Sequence, residues 1–142
     1  MSDDLSKVTK VVRASDAVAA GSTDSNGDII DTHGARHGLF TYHFGAITST
    51  AVTGLKITHS DSSDMSGATD IAGAVVAVAD TDDGKLVQLE VKHFTKRYVR
   101  AVVTRATANA VVNSGICQLH GLMRTSPAAH SSVKAAATVV TG

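Results

Sequence analysis

The residues able to do chemistry are seven histidines, one cysteine and thirteen Asp plus Glu side chains spread over 142 positions. Nucleophilic catalysis needs a Ser or Cys beside a base, and no Gly-x-Ser-x-Gly elbow occurs. Cys117 sits between Ile116 and Leu119 in a strand-like apolar run, where a thiol acts as a small hydrophobe rather than a nucleophile. His33 and His37 stand four apart, the spacing that shares a helix face and ligates zinc. Gly34 and Gly38 oppose a helix there, no third ligand follows, and exposed loop histidines are the expectation. The stretches Asp24–Asp28 and Asp80–Gly84 set carboxylates around a Gly as calcium loops do. They lack the distal Glu of an EF-hand and read as hairpin turns. There is no Gly-rich phosphate loop or dinucleotide fingerprint. The expectation is a non-enzymatic protein with no catalytic residue, no metal and no cofactor.

One basic concentration remains. Lys92, Lys96, Arg97, Arg100 and Arg105, with Tyr98 among them, would form a positive strip if carried on adjacent strands. Such a strip meets an acidic protein face or nucleic acid, and it equally serves as a solvated sheet face whose charges keep edges from pairing. For an interface, Lys96, Arg97, Tyr98, Arg100 and Arg105 are the candidates, the arginines being suited to bidentate contact with carboxylates.

The positioning elements follow from composition and alternation. A 14.6 kDa chain holds one domain. Its thirteen basic and thirteen acidic side chains cancel, so nothing draws it in bulk to nucleic acid or to an anionic membrane. Hydrophobic residues reach 43% but aromatics only 4%, with no Trp, so the core is built from Val, Ala, Ile and Leu. A single cysteine forbids an internal disulfide and suits synthesis in a reducing cytoplasm. The acidic start Met1-Ser2-Asp3-Asp4 is unlike a secretory signal, and no apolar run has the length of a membrane span.

Leu39–Phe44 alternates most clearly, with Phe40, Tyr42 and Phe44 against Thr41 and His43, the period of a strand with one buried face. Lys7–Arg13, Asp28–Asp31, Leu55–His59, Val87–Lys92, Tyr98–Arg105 and Gly115–Leu122 read as further strands, separated by turn formers such as Ser60–Asp64. Ala68–Ala79 mixes alanines with valines around Gly73, and the expectation is a short helical turn followed by a strand. Seven or eight short strands make an all-β, single-domain β-sandwich over 1–126. Residues 127–142, rich in Ala, Ser and Thr with one charge at Lys134, read as an irregular C-terminal tail.

The order and spacing of several pieces carry a resemblance. Gly27-Asp28-Ile29-Ile30-Asp31-Thr32-His33-Gly34, then Phe44-Gly45-Ala46-Ile47-Thr48, Leu55-Lys56-Ile57-Thr58-His59-Ser60-Asp61 and Lys96-Arg97-Tyr98-Val99-Arg100 resemble small structural proteins of tailed bacteriophages. The resemblance spans roughly residues 27 to 124. It implies a jelly-roll-like sandwich and a head decoration or cement protein made in the host cytoplasm. Its place would be the capsid surface of the virion, its partner the major capsid protein, and its state a homo-oligomer, dimer or trimer, with no direct nucleic-acid or membrane contact. A head-tail connector or tail subunit is the nearest alternative, and a carbohydrate-binding module for host adsorption the second.

Overall fold

The computed structural model describes residues 8–122. Strands β1 (Lys10–Ser15), β2 (Val18–Gly21), β3 (Ser25–Asn26) and β4 (Ile30–Asp31) are short. The longer ones are β5 (His37–Ile47), β6 (Val52–Ser60), β7 (Thr69–Val78), β8 (Leu86–Val91), β9 (Tyr98–Ala106) and β10 (Ala110–His120), with one 3-10 turn at Asp80–Asp82 between β7 and β8.

Every pairing is antiparallel. The first sheet has the order β1-β10-β5-β8, with β2 lying along β10 beyond β1. The second has the order β3-β9-β6-β7, with β4 lying along β9 beyond β3. Taking β1 with β2, and β3 with β4, as one position each leaves eight positions in two four-stranded sheets. That order is the jelly roll, in which two Greek keys fold over each other. The expected all-β, jelly-roll-like sandwich is the observed fold.

Between the sheets the aromatic strand acts as its alternation predicts. Phe40, Tyr42 and Phe44 on β5 are fully buried, while Leu39, Thr41 and His43 face outward. From the second sheet Leu55 and Ile57 of β6 and Val99, Ala101 and Val103 of β9 close the core. Each fully buried side chain of this size contributes about 1.5–3 kcal/mol relative to exposure. The Tyr42 hydroxyl donates to Ala14 O at 3.3 Å, so the ring spans toward the junction where Gly27 N donates to Ala101 O and Asp28 N to Ala14 O. Burial holds that phenol in its protonated form by raising its pKa. The space for the ring comes from β10: a Cβ on Gly115 would lie 2.6–2.8 Å from three atoms of the Tyr42 ring.

Three details depart from expectation. Ala68–Ala79 has no helical turn, because Thr69–Val78 runs extended along β6. Cross-strand pairing outweighs alanine's helical preference, and the flexibility is spent at Gly73, where φ is 80°. The Asp80–Gly84 turn, with Gly84 at φ 73°, joins β7 of the second sheet to β8 of the first, so it turns the chain between layers and is not a hairpin. The last strand starts at Ala110, five residues before the expected Gly115, because β5 is long enough to pair with it throughout. The expected domain boundary at 126 and the tail 127–142 lie outside the described residues.

Gly115→Ala is expected to destabilise the fold by about 1–3 kcal/mol through overpacking against Tyr42. Urea denaturation measures this, and an unchanged midpoint would show that the ring has room to move.

Candidate functional site

Strand β9 carries two of the five basic candidates, Arg100 and Arg105. Val99, Ala101 and Val103 point into the core, so Tyr98, Arg100, Val102 and Thr104 point outward on the second sheet. Their cross-strand neighbours on β6 are Ser60, Thr58, Lys56 and Gly54, and on β4 and β3 they are Asp31 and Asn26. Lys96 and Arg97 stand just before β9 at the same end of this face, and Lys92 is exposed on the connection from β8.

The basic groups on this face differ in how they are engaged. Arg97 forms a two-pronged pair with Asp31, Nε to Oδ1 and Nη2 to Oδ2, both at 2.9 Å. Its guanidinium also lies 5.3 Å from the centroid of the Tyr98 ring. The hydrogen bonds from Arg97 hold the Asp31 carboxyl below the usual carboxylate range, and the reciprocal bond raises Arg97. Lys56 is paired with Asp70 at 3.2 Å.

Arg100 is different. It is half-buried, its Nε is buried without a hydrogen-bond partner, and none of the ion pairs among the described residues uses it. A donor withdrawn from water without an acceptor costs about 1–3 kcal/mol, so the buried Nε is a cost to the fold, while the part of the side chain that remains exposed is not engaged by any acidic side chain among the described residues.

Arg105 does not join this face. Two residues beyond Val103, it shares the inward parity and is 8% exposed. Its Nε donates to Thr23 O at 2.6 Å, while Nη1 donates to Ala19 O and Ala110 O at 2.9 Å. Its backbone N–H donates to Asp24 Oδ1. The guanidinium thus ties β2, the β2–β3 connection and β10 together, a structural use that the alternation Val99-Ala101-Val103-Arg105 already signalled.

The other candidates resolve into structural ties. Asp28 accepts from Arg13 Nε at 2.6 Å, Asp80 accepts from Thr50 N, and Asp82 accepts from Ala79 N and Lys85 Nζ. His33 is exposed, but His37 lies on β5, half-buried, and its Nδ1 accepts from His93 N at 3.0 Å. Among the described residues no group of three or more His, Cys, Asp or Glu side chains could hold a metal ion. Cys117 is fully buried, and burial pushes its thiol up to about 12.

The sequence reading missed what long separations assemble. Asp31 and Arg97 are 66 positions apart, and His37, His93 and His120 come together from three elements. No local spacing announces either group.

No family model matches the chain, and no curated protein matches it. Among solved structures, one titled as the SPBc2 prophage-derived protein YomS is 14% identical, covering 78% of this chain and 92% of that one, with a TM-score of 0.45. That identity and score are too low to transfer a role. No helix among the described residues is long and apolar enough to cross a membrane.

Arg105→Lys is expected to lose about 1–3 kcal/mol in chemical denaturation, since an ammonium cannot reach three carbonyls at once; equal stability would show that the fork is dispensable. Cys117 should resist Ellman's reagent in the native protein at pH 8 and react on unfolding, whereas native labelling at the unfolded rate would show the thiol to be accessible.

Proposed function

We propose that this chain is a non-enzymatic structural protein of a tailed-bacteriophage virion that binds the outside of the major capsid shell and stabilises the head. The observation that carries this reading is the outward face of β9, where the half-exposed Arg100 is in none of the ion pairs among the described residues and stands beside Tyr98 and the Arg97–Asp31 pair. Arginine and tyrosine with buried apolar stems are the residue types that dominate protein interfaces. The pieces of sequence that resemble phage structural proteins include this face, since Lys96–Arg100 opens β9 and Leu55–Asp61 lies beside it on β6.

Docking would place a shell carboxylate across Arg100, with Lys96, Arg97 and Tyr98 at one side of the contact. Each copy needs only modest affinity, because a symmetric shell presents many sites and because oligomerisation of the decorating protein would multiply contacts. A sugar-binding role gains no support from the rings. Phe40, Tyr42 and Phe44 are buried and Phe94 packs against the core, which leaves Tyr98 as the outward aromatic, itself beneath Arg97.

Purified particles test the reading. Copies per particle should number in the hundreds rather than in a single ring, and particles stripped of the protein should release DNA at lower temperature than intact ones. Re-added Arg100→Glu should bind stripped heads at least about tenfold more weakly than the native protein, the effect of roughly 1.4 kcal/mol at an interface. Stripped heads as heat-resistant as intact ones would exclude stabilisation, and a ring-sized copy number would favour a connector.

A further inference from the structure

We propose that His37 is an acid-released latch for the β8–β9 connection, holding His93 and Phe94 against the first sheet while its imidazole is neutral. His37 opens β5 at one end of the first sheet, paired with His120 at the end of β10. The connection crosses in front of it. His93 N donates to His37 Nδ1 at 3.0 Å, and the next amide, Phe94 N, donates to Arg36 O at 2.9 Å. These bonds seat Phe94 against the core over Gly38, where an added Cβ would lie 2.7 Å from Phe94 Cζ.

The first bond requires a particular state of the ring. Nδ1 accepts only when it carries no proton, so His37 must be the neutral tautomer with hydrogen on Nε2. An imidazolium would set N–H against N–H, and the backbone at His93 would lose its acceptor. Gly121 lies close beside the ring, since a Cβ added there would be 2.7 Å from His37 Cδ2. His93 is held in the left-handed region at φ 60°, a conformation that its neighbours must sustain.

The surroundings oppose a charge on His37. The His93 ring stands edge-on at 4.9 Å and the His120 ring tilted at 5.1 Å. Across the sheet Glu90 of β8 binds His120 Nε2 at 3.0 Å, and Arg36 precedes His37 in the chain. Desolvation first, then the charges of His120 and His93 and finally that of Arg36, lower the His37 pKa from its ordinary 6.5, while Glu90 partly restores it. For a base lowered on folding, the stabilising contribution is complete above the unfolded value and is lost as the pH falls through the folded one. His59 on β6 is lowered too, by burial and by Lys96, so total stability sums both groups and the latch must be read locally.

The released segment would loosen the chain leading into Lys96, while Arg97 stays tied to Asp31 and Thr32; any consequence for shell binding rests on the docking reading above, whereas the latch itself does not. The test uses the full-length protein in EDTA. At pH 7.5 the His37 Nδ1 resonance in 15N spectra should be that of an unprotonated acceptor. Amide-exchange protection factors at His93 and Phe94 should fall about tenfold or more as His37 protonates, the loss expected when a local bond no longer holds the segment closed, while Ala101 in β9 stays protected. His37→Asn, whose side-chain carbonyl accepts at every pH, should abolish that local fall. A proton on Nδ1 at pH 7.5, or unchanged protection at His93 while His37 titrates, would overturn the latch. Binding to stripped heads that ignores pH while the latch opens would count against the docking face alone.

Discussion

The ring of Tyr42 is the contact on which the two layers depend. It lies at the centre of the middle strand of the first sheet, over the bare backbone of Gly115, and its hydroxyl reaches the Ala14 carbonyl where β1, the Gly27–Asp28 turn and β9 converge. A core made mostly of Val, Ala, Ile and Leu has few side chains long enough to cross between layers, and Phe40 and Phe44 flank the one that also carries a polar tip. A buried phenol must find an acceptor, so the same residue that contributes apolar area also fixes which loop sits beneath it. Registration of the sheets and placement of the loop thus share one cause.

Much of the charge in this chain serves the same end. Arg105 holds three carbonyls from β2, the β2–β3 connection and β10, Arg13 and Asp28 bridge β1 to the β3–β4 connection, and the carboxylates of Asp24, Asp80 and Asp82, themselves on connections between sheets, accept from backbone amides. In a jelly roll most connections cross from one sheet to the other, so loop amides and carbonyls lack strand partners and short polar side chains replace them. An acidic cluster that looks like an ion site in one dimension becomes a set of separate ties in three. Against that background the Nε of Arg100 and the Thr53 hydroxyl are buried groups left without a partner among the described residues.

The outer surfaces divide the labour between the two sheets. On the second, arginine, tyrosine and threonine face outward from β9 and β6, close to the ends of the β8–β9 connection. On the first, one end gathers His37, His93, His120 and Glu90. Residues 92–97 join the two regions, anchored at one end by His37 and Arg36 and at the other by Thr32, whose hydroxyl and amide both donate to Arg97 O.

The sequence by itself determined the all-β character and the burial of Phe40, Tyr42 and Phe44, whereas Arg105, expected on the outward strip, turned inward. Each is a matter of period-two alternation over neighbouring residues, and side-chain direction in a strand is set locally. Only the tertiary structure decided that Thr69–Val78 pairs as a strand on both sides of the break at Gly73, that Asp80–Gly84 passes between sheets, that Arg97 meets Asp31, and that His93 and His120 gather around His37. Those outcomes depend on which strands become neighbours, and that is settled by packing across the whole chain, since residues dozens of positions apart leave no mark on one another's local pattern.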